Sequence, residues 1–176
     1  MFLLSRKVLL QYKTEGLLDI EGFDSQYLLP AHYEFRLGRS VQLWNGKVRD
    51  YTVKALGDPG REILDIPPGG YAIIMSLERF KLSKRVLGIF GQISTLVQRG
   101  LRLNHSPTID PTFSGYLEMG VENLLNKPTE MRYGDAIGKV LFFDISDTYP
   151  IPSIKGTRGE NNFRRRDRLD IPEPLE

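Results

Sequence analysis

The sequence predicts a mainly β protein, a mostly antiparallel β-barrel or sandwich with a short helix near its N-terminus. Three observations predict it. Runs rich in β-branched and aromatic residues follow one another from residue 33 to residue 145. Asn-Gly, Asp-Pro-Gly and Pro-Pro-Gly-Gly turn signals separate them. Helix signals are confined to residues 5–16 and 94–101. Short strands at this spacing, with few helices to cover a parallel sheet, close on themselves or stack face to face.

SRKVLLQYKTEG, residues 5–16, reads as the main helix, with Ser5 as N-cap, Val8, Leu9 and Tyr12 on one face, and Gly16 after the last turn. Strand-type runs follow as YEFRLG, VQLW, YTVKAL, EILDI, YAIIMSLERF and KVLFFDI. STLVQRGL, residues 94–101, predicts a short interior helix or helical turn ended by Gly100. TIDPTFSGYLEMGVEN, residues 108–123, predicts a tight turn running into a strand, with Glu118, Gly120 and Glu122 on one face. Glycine stabilises a strand least, so its place between two acids calls for a reason.

Beyond residue 148 the chain turns to Pro, Gly, Asn and charge, including the run FRRRDR. The expected organisation is one β domain over residues 1–148 and a C-terminal arm or tail over 149–176. Such an arm either closes over a site or a neighbouring subunit, or stays disordered.

With 176 residues, 40% hydrophobic and 26% charged, the chain suits a single globular domain. The net charge of +2 owes most of its excess to Arg164, Arg165, Arg166 and Arg168, so nucleic acid is not an expected partner. Having no cysteine rules out disulfides, thiolate metal sites and a cysteine nucleophile. His32 and His105 are the only imidazoles, which excludes a multi-histidine centre and leaves a carboxylate-only magnesium site open. Arg6 and Lys7 interrupt the apolar N-terminus, and no run approaches the roughly 18 apolar residues of a membrane span. A cytoplasmic protein with no membrane partner is expected.

Several segments, in order, resemble the deoxycytidine triphosphate (dCTP) deaminase branch of the dUTPase superfamily. LLPAHYEFRLG resembles its Q-P-[AS]-S-x-D-L-R-L-G, PPGGYAIIMSLERF its P-P-G-x-F-x-L-x-x-T-x-E, and GQISTLVQRGL its G-R-S-S-x-A-R-x-G-L. The most specific match is TIDPTFSGYLEMGVEN, followed by MRYGDAIGKVLFF at the family's spacing. The resemblance implies a distorted antiparallel β-barrel of the dUTPase type that forms homotrimers. It implies a pyrimidine deoxynucleoside triphosphate bound between subunits, with Mg2+ on the phosphates. The reaction it implies is deamination of dCTP to dUTP, hydrolysis of dUTP to dUMP and pyrophosphate, or both.

The same resemblance distributes roles. The family's deaminating glutamate, which moves a proton from water to the ring nitrogen, falls at Gly120 and is missing. Glu118 shares that strand face but sits about 7 Å away along the chain. Asp110 matches the aspartate that activates water for attack on phosphorus, although I-D-P is also a good turn in which the carboxylate accepts backbone N–H groups. Asp110 and Glu118 are therefore the catalytic candidates.

Ser94 and Thr95 match phosphate-binding hydroxyls. Gln98 stands where the family has an arginine, and Arg99 follows, turned by about 100° if the segment is helical. His105, Ser106 and Thr108 lie in the loop that frames the base, and these seven are the nucleotide-binding candidates. Arg36 and Glu78 are expected as a buried structural pair, Glu122 as structural, and Lys139 replaces a glutamine. Three functions stay open: an enzyme with a rearranged site, a trimeric nucleotide-binding or regulatory protein without turnover, and a structural trimer.

Overall fold

The computed structural model describes residues 1–44, 51–56 and 63–146. The arm expected over 149–176 and the Asn45-Gly46 and Asp58-Pro59-Gly60 turns lie outside the described residues. In chain order the elements are β1 (Phe2–Leu3), α1 (Arg6–Thr14), β2 (Leu18–Glu21), a 3-10 turn (Ser25–Tyr27), β3 (Tyr33–Trp44), β4 (Tyr51–Ala55), β5 (Ile63–Ile66), β6 (Tyr71–Leu82) and β7 (Val86–Gln92). They continue with α2 (Ser94–Gln98), β8 (Leu101–Asn104), β9 (Thr108–Ile109), β10 (Ser114–Asn123), β11 (Thr129–Arg132) and β12 (Ala136–Asp144).

YEFRLG and VQLW are not two strands but one, β3, of 12 residues. Its first part pairs with β12 and its remainder with β6 and β4, so the sheet turns a corner along this strand. A register shift between Leu37 and Val41 marks the bend. The resulting order β8-β10-β6-β3-β12-β7-β9, with β1 on β12, β2 on β6 and β4 on β3, is antiparallel throughout. β5 and β11 form a separate two-stranded ribbon.

Alternation explains the core. Along β6 the even-numbered residues from Ala72 to Leu82 are buried while their neighbours are more exposed. Phe35, Phe80, Phe90 and Phe142 meet inside, with Phe35 edge-on to Phe80 and Phe90 at ring separations of 6.3 and 6.0 Å. α1 closes one side through buried Leu9 and Tyr12, with Val8 packed against the core. Ser5 occupies the N-cap but its hydroxyl makes no capping bond; the chain is docked instead by the Arg6 N–H, which donates to the Pro30 carbonyl at 2.8 Å. Gly16 and Gly100 take the left-handed φ (69° and 70°) that ends α1 and follows α2. No helix among the described residues is long and apolar enough to cross a membrane.

Two buried carboxylates fix the frame. Glu78 is fully buried and accepts from the Arg36 backbone N–H at 2.8 Å, the Arg36 Nε at 2.7 Å and the Tyr33 hydroxyl at 3.3 Å. Arg36 also donates to the Gly22 carbonyl at 2.6 Å and lies over the Tyr27 ring. Burial pushes the Tyr33 hydroxyl up to about 12. Asp144 accepts from the Tyr12 hydroxyl, from Arg85 at 3.1 Å and from the Ser146 N–H at 2.7 Å. Burial alone would raise its pKa, but the bonds from Ser146 and Tyr12 and the charge of Arg85 outweigh it and hold Asp144 at about 2.

Candidate active site

The strand that carries the acids is β10. Its core face presents Leu117, Met119, Val121 and Asn123, all buried. Glu118 and Glu122 are half-exposed on the other face, with Gly120 between them. Asn123 holds the end of the strand, donating to the Ile66 and Lys127 carbonyls at 2.9 and 2.8 Å and accepting from Leu125 N–H at 3.0 Å. Glu122 pairs with Arg102 of β8 at 2.5 Å, the structural role expected of it. Glu118 lies opposite Met75 of β6, just past a register shift.

Gly120 sits between Ile73 of β6 and Asn104 of β8. Two positions along the ladder Tyr71 faces Glu122, and its ring crosses the ladder onto the glycine. A Cβ at position 120 would overlap the Tyr71 hydroxyl and its ring carbons, with Cε2 at 2.7 Å. Glycine is therefore required by the aromatic ring lying over it, a cross-strand pairing that offsets the poor strand propensity of glycine. Any longer side chain at position 120 needs Tyr71 to move first.

A second region forms around α2. Ile93 is buried, while Ser94 and Thr95 are exposed and neither hydroxyl makes a side-chain hydrogen bond among the described residues. They border a cleft of about 550 Å³ that is also lined by His32, Glu34, Arg99, Asp135 and Lys139. Arg99 is held by the Asp135 carboxylate at 3.7 Å and donates to the Glu130 carbonyl. Gln98 is exposed and does not line the cleft. Gln92 is occupied in stitching β7 to β8, donating to the Leu101 carbonyl at 3.3 Å and accepting from the Leu103 N–H at 2.8 Å.

The loop between β8 and β9 forms a third region. His105 stacks on Phe90 with ring centroids 4.3 Å apart, and its Nδ1 lies 2.8 Å from the Ser106 carbonyl. Ser106 is exposed, and Thr108 pairs with Ile89. Asp110 is exposed at the following turn, where its backbone carbonyl, not its side chain, accepts the Phe113 N–H at 3.1 Å. The carboxylate makes no hydrogen bond among the described residues, so it does not act as the turn's acceptor. Ile109 pairs with Gly88 near the start of β7, whereas the cleft begins past its end at Ile93. At roughly 3.3 Å per residue along β7, the turn that carries Asp110 lies on the order of 15 Å from the cleft. The chain thus brings Ser94, Thr95 and Arg99 together and leaves Gln98, His105, Ser106, Thr108, Asp110 and Glu118 outside the cleft.

A family model described as "dCTP deaminase-like" matches residues 3–145. The chain belongs to the dCTP deaminase-like family. A "dCTP deaminase" of Pyrococcus horikoshii is 32% identical over 152 residues, covering 85% of this chain and 92% of that protein. A "dCTP deaminase, dUMP-forming" of Corynebacterium glutamicum is 28% identical over 155 residues, covering 82% of each. The crystal structure of 2'-deoxycytidine 5'-triphosphate deaminase from Agrobacterium tumefaciens is similar with a TM-score of 0.67 at 14% identity, over 80% of this chain and 47% of that one. That likeness establishes the dUTPase-like fold, a curled antiparallel sheet with a short N-terminal helix.

For this dCTP deaminase-like chain, the scaffold pair Arg36–Glu78 stands as expected. Sequence reasoning did not find the convergence of His32, Asp135 and Lys139 on the cleft, nor Tyr71 over Gly120. The available signals were weak: His32 and Glu34 alternate onto one face, and an aromatic follows Pro-Pro-Gly-Gly.

Proposed function

We propose that this dCTP deaminase-like protein binds pyrimidine deoxynucleoside triphosphates between the subunits of a homotrimer, and that its chemistry acts on phosphorus rather than on the ring. The observation that carries the reading is Tyr71 lying over Gly120, which leaves no carboxylate and no space for one at the position that would move a proton to the ring. Assembly is supported by the separation of Asp110 from the Ser94–Arg99 cleft, which a second copy would bridge. In this reading magnesium enters as part of the substrate, on the triphosphate.

In the proposed reaction, water attacks the α-phosphorus of dUTP and the bond to the bridging oxygen breaks. Pyrophosphate and dUMP leave, and the water proton passes to the Asp110 carboxylate and then to solvent. Asp110 suits this role because its carboxylate is exposed and uncommitted among the described residues. The test is pyrophosphate release from magnesium dUTP by wild type and Asp110→Asn. The expected loss on substitution is about 10²- to 10⁴-fold, the range of a general base. A second reading, binding without turnover, is favoured by Gln98 standing outside the cleft and by Arg99 being tied to Asp135. It predicts a rise in melting temperature with nucleotide and no release of pyrophosphate.

A further inference from the structure

We propose that Thr112 is a positioning residue for the reaction at phosphorus, its hydroxyl holding the attacking water against the Asp110 carboxylate. A backbone angle points to it. Thr112 has φ 71°, and among the described residues every other left-handed position is filled by glycine, at Gly16, Gly22, Gly69, Gly100 and Gly134. A β-branched side chain is strained in that conformation, because its Cβ crowds the neighbouring backbone.

Asp110-Pro111-Thr112-Phe113 has the proline and the left-handed third residue of a type II turn, a position that calls for glycine. Surrounding bonds hold the turn in this shape. The Phe113 N–H donates to the Asp110 carbonyl at 3.1 Å, the Thr112 N–H to the Ser83 carbonyl at 3.4 Å, and the Leu82 N–H to the Phe113 carbonyl at 2.9 Å. Glycine would meet the same geometry without strain, so the threonine side chain costs stability here. Nothing among the described residues offsets that cost. Thr112 is exposed, its hydroxyl makes no hydrogen bond among the described residues, and it is Phe113 beside it that packs against the core.

A strained side chain without a partner in its own chain is accounted for by a contact outside it. Asp110 is two residues away, so the two Cα atoms are no more than about 7 Å apart, within the span of one bridging water. Its carboxylate is likewise exposed and unbonded among the described residues. A water that donates one hydrogen to the Asp110 carboxylate and the other to the Thr112 oxygen keeps both lone pairs, one of them for the α-phosphorus. Asp110 takes the proton as the new bond forms, and Thr112 fixes the direction of attack.

The inference rests on the reading of chemistry at phosphorus. Steady-state release of pyrophosphate from magnesium dUTP, with melting temperatures measured on the same proteins, separates the two. Thr112→Gly should melt higher by roughly 2–4 °C, the relieved strain less the added freedom of the unfolded chain. Its kcat should fall about tenfold, the loss of one hydrogen bond, while KM changes less than about twofold. Thr112→Val keeps the shape and the strain without the hydroxyl, so it should melt as wild type does and lose as much kcat. Thr112→Ser retains the hydroxyl and should keep most of the rate. Adding Thr112→Val to Asp110→Asn should cost little beyond Asp110→Asn alone, since both act on one water. Wild-type kcat in Thr112→Gly or Thr112→Val, with release still lost in Asp110→Asn, would overturn the role of Thr112 and leave the phosphorus reading standing. A Thr112→Gly protein that melts no higher than wild type would remove the strain on which the inference stands. No pyrophosphate from the wild-type protein would overturn both.

Discussion

Replacing Gly120 with alanine isolates its contact with Tyr71. Alanine is a better strand residue than glycine, worth roughly 0.5–1 kcal/mol where nothing opposes it. Here the new methyl overlaps the Tyr71 hydroxyl and ring, so Tyr71 must swing off the strand. Overpacking of this kind costs about 1–3 kcal/mol, and the lost cross-strand aromatic contact adds up to about 1 kcal/mol. Tyr71 is only half-buried, at the first position of β6, which places the net effect near the low end, at about 1–2 kcal/mol destabilising. In a Tyr71→Val background the obstruction is gone, and the same substitution should become neutral or stabilising. Urea unfolding of wild type, both single variants and the double variant gives the coupling, expected at about 2 kcal/mol. Additive effects within about 0.5 kcal/mol would refute the placement of Tyr71 over Gly120 and the account of the missing acid built on it.

Two further predictions concern the frame. Glu78→Gln leaves Arg36 partly buried without its counter-charge and should cost about 3–5 kcal/mol, read as a lower urea midpoint, whereas Glu122→Gln at the exposed Arg102 pair should cost less than about 1 kcal/mol. Asp144 titrates at about 2 in the folded protein against an ordinary value of 3.8. Its contribution, roughly 2 kcal/mol, is thus complete above the unfolded value and is lost as pH falls from there through about 2. Stability curves from pH 5 to pH 2 should show this loss, and Asp144→Asn should flatten it.

Much of the fold was legible because it rests on local rules. The alternation in YAIIMSLERF defines the two faces of β6, and the pattern of Leu9 and Tyr12 defines the buried side of α1. β7 was missed because Gly88 and Gly91 dilute its strand signal, and β3 was divided because Gly38 resembles a strand end when it lies inside a bent strand. The candidate site was less legible, since its residues meet only through register. Lys139 faces Glu34 because β12 pairs with β3, and Tyr71 covers Gly120 because β6 pairs with β10. Neither pairing leaves a mark in the sequence near the residues it joins. The Arg36–Glu78 pair was easier, because a charge of each sign inside strongly apolar strands predicts mutual neutralisation.

The central claim, chemistry at phosphorus and not at the ring, is tested most directly by following ammonia and pyrophosphate together while the protein is incubated with magnesium dCTP or magnesium dUTP. The account predicts pyrophosphate from dUTP, lost in Asp110→Asn, and no ammonia from dCTP. Ammonia released from dCTP by the wild-type protein would contradict it.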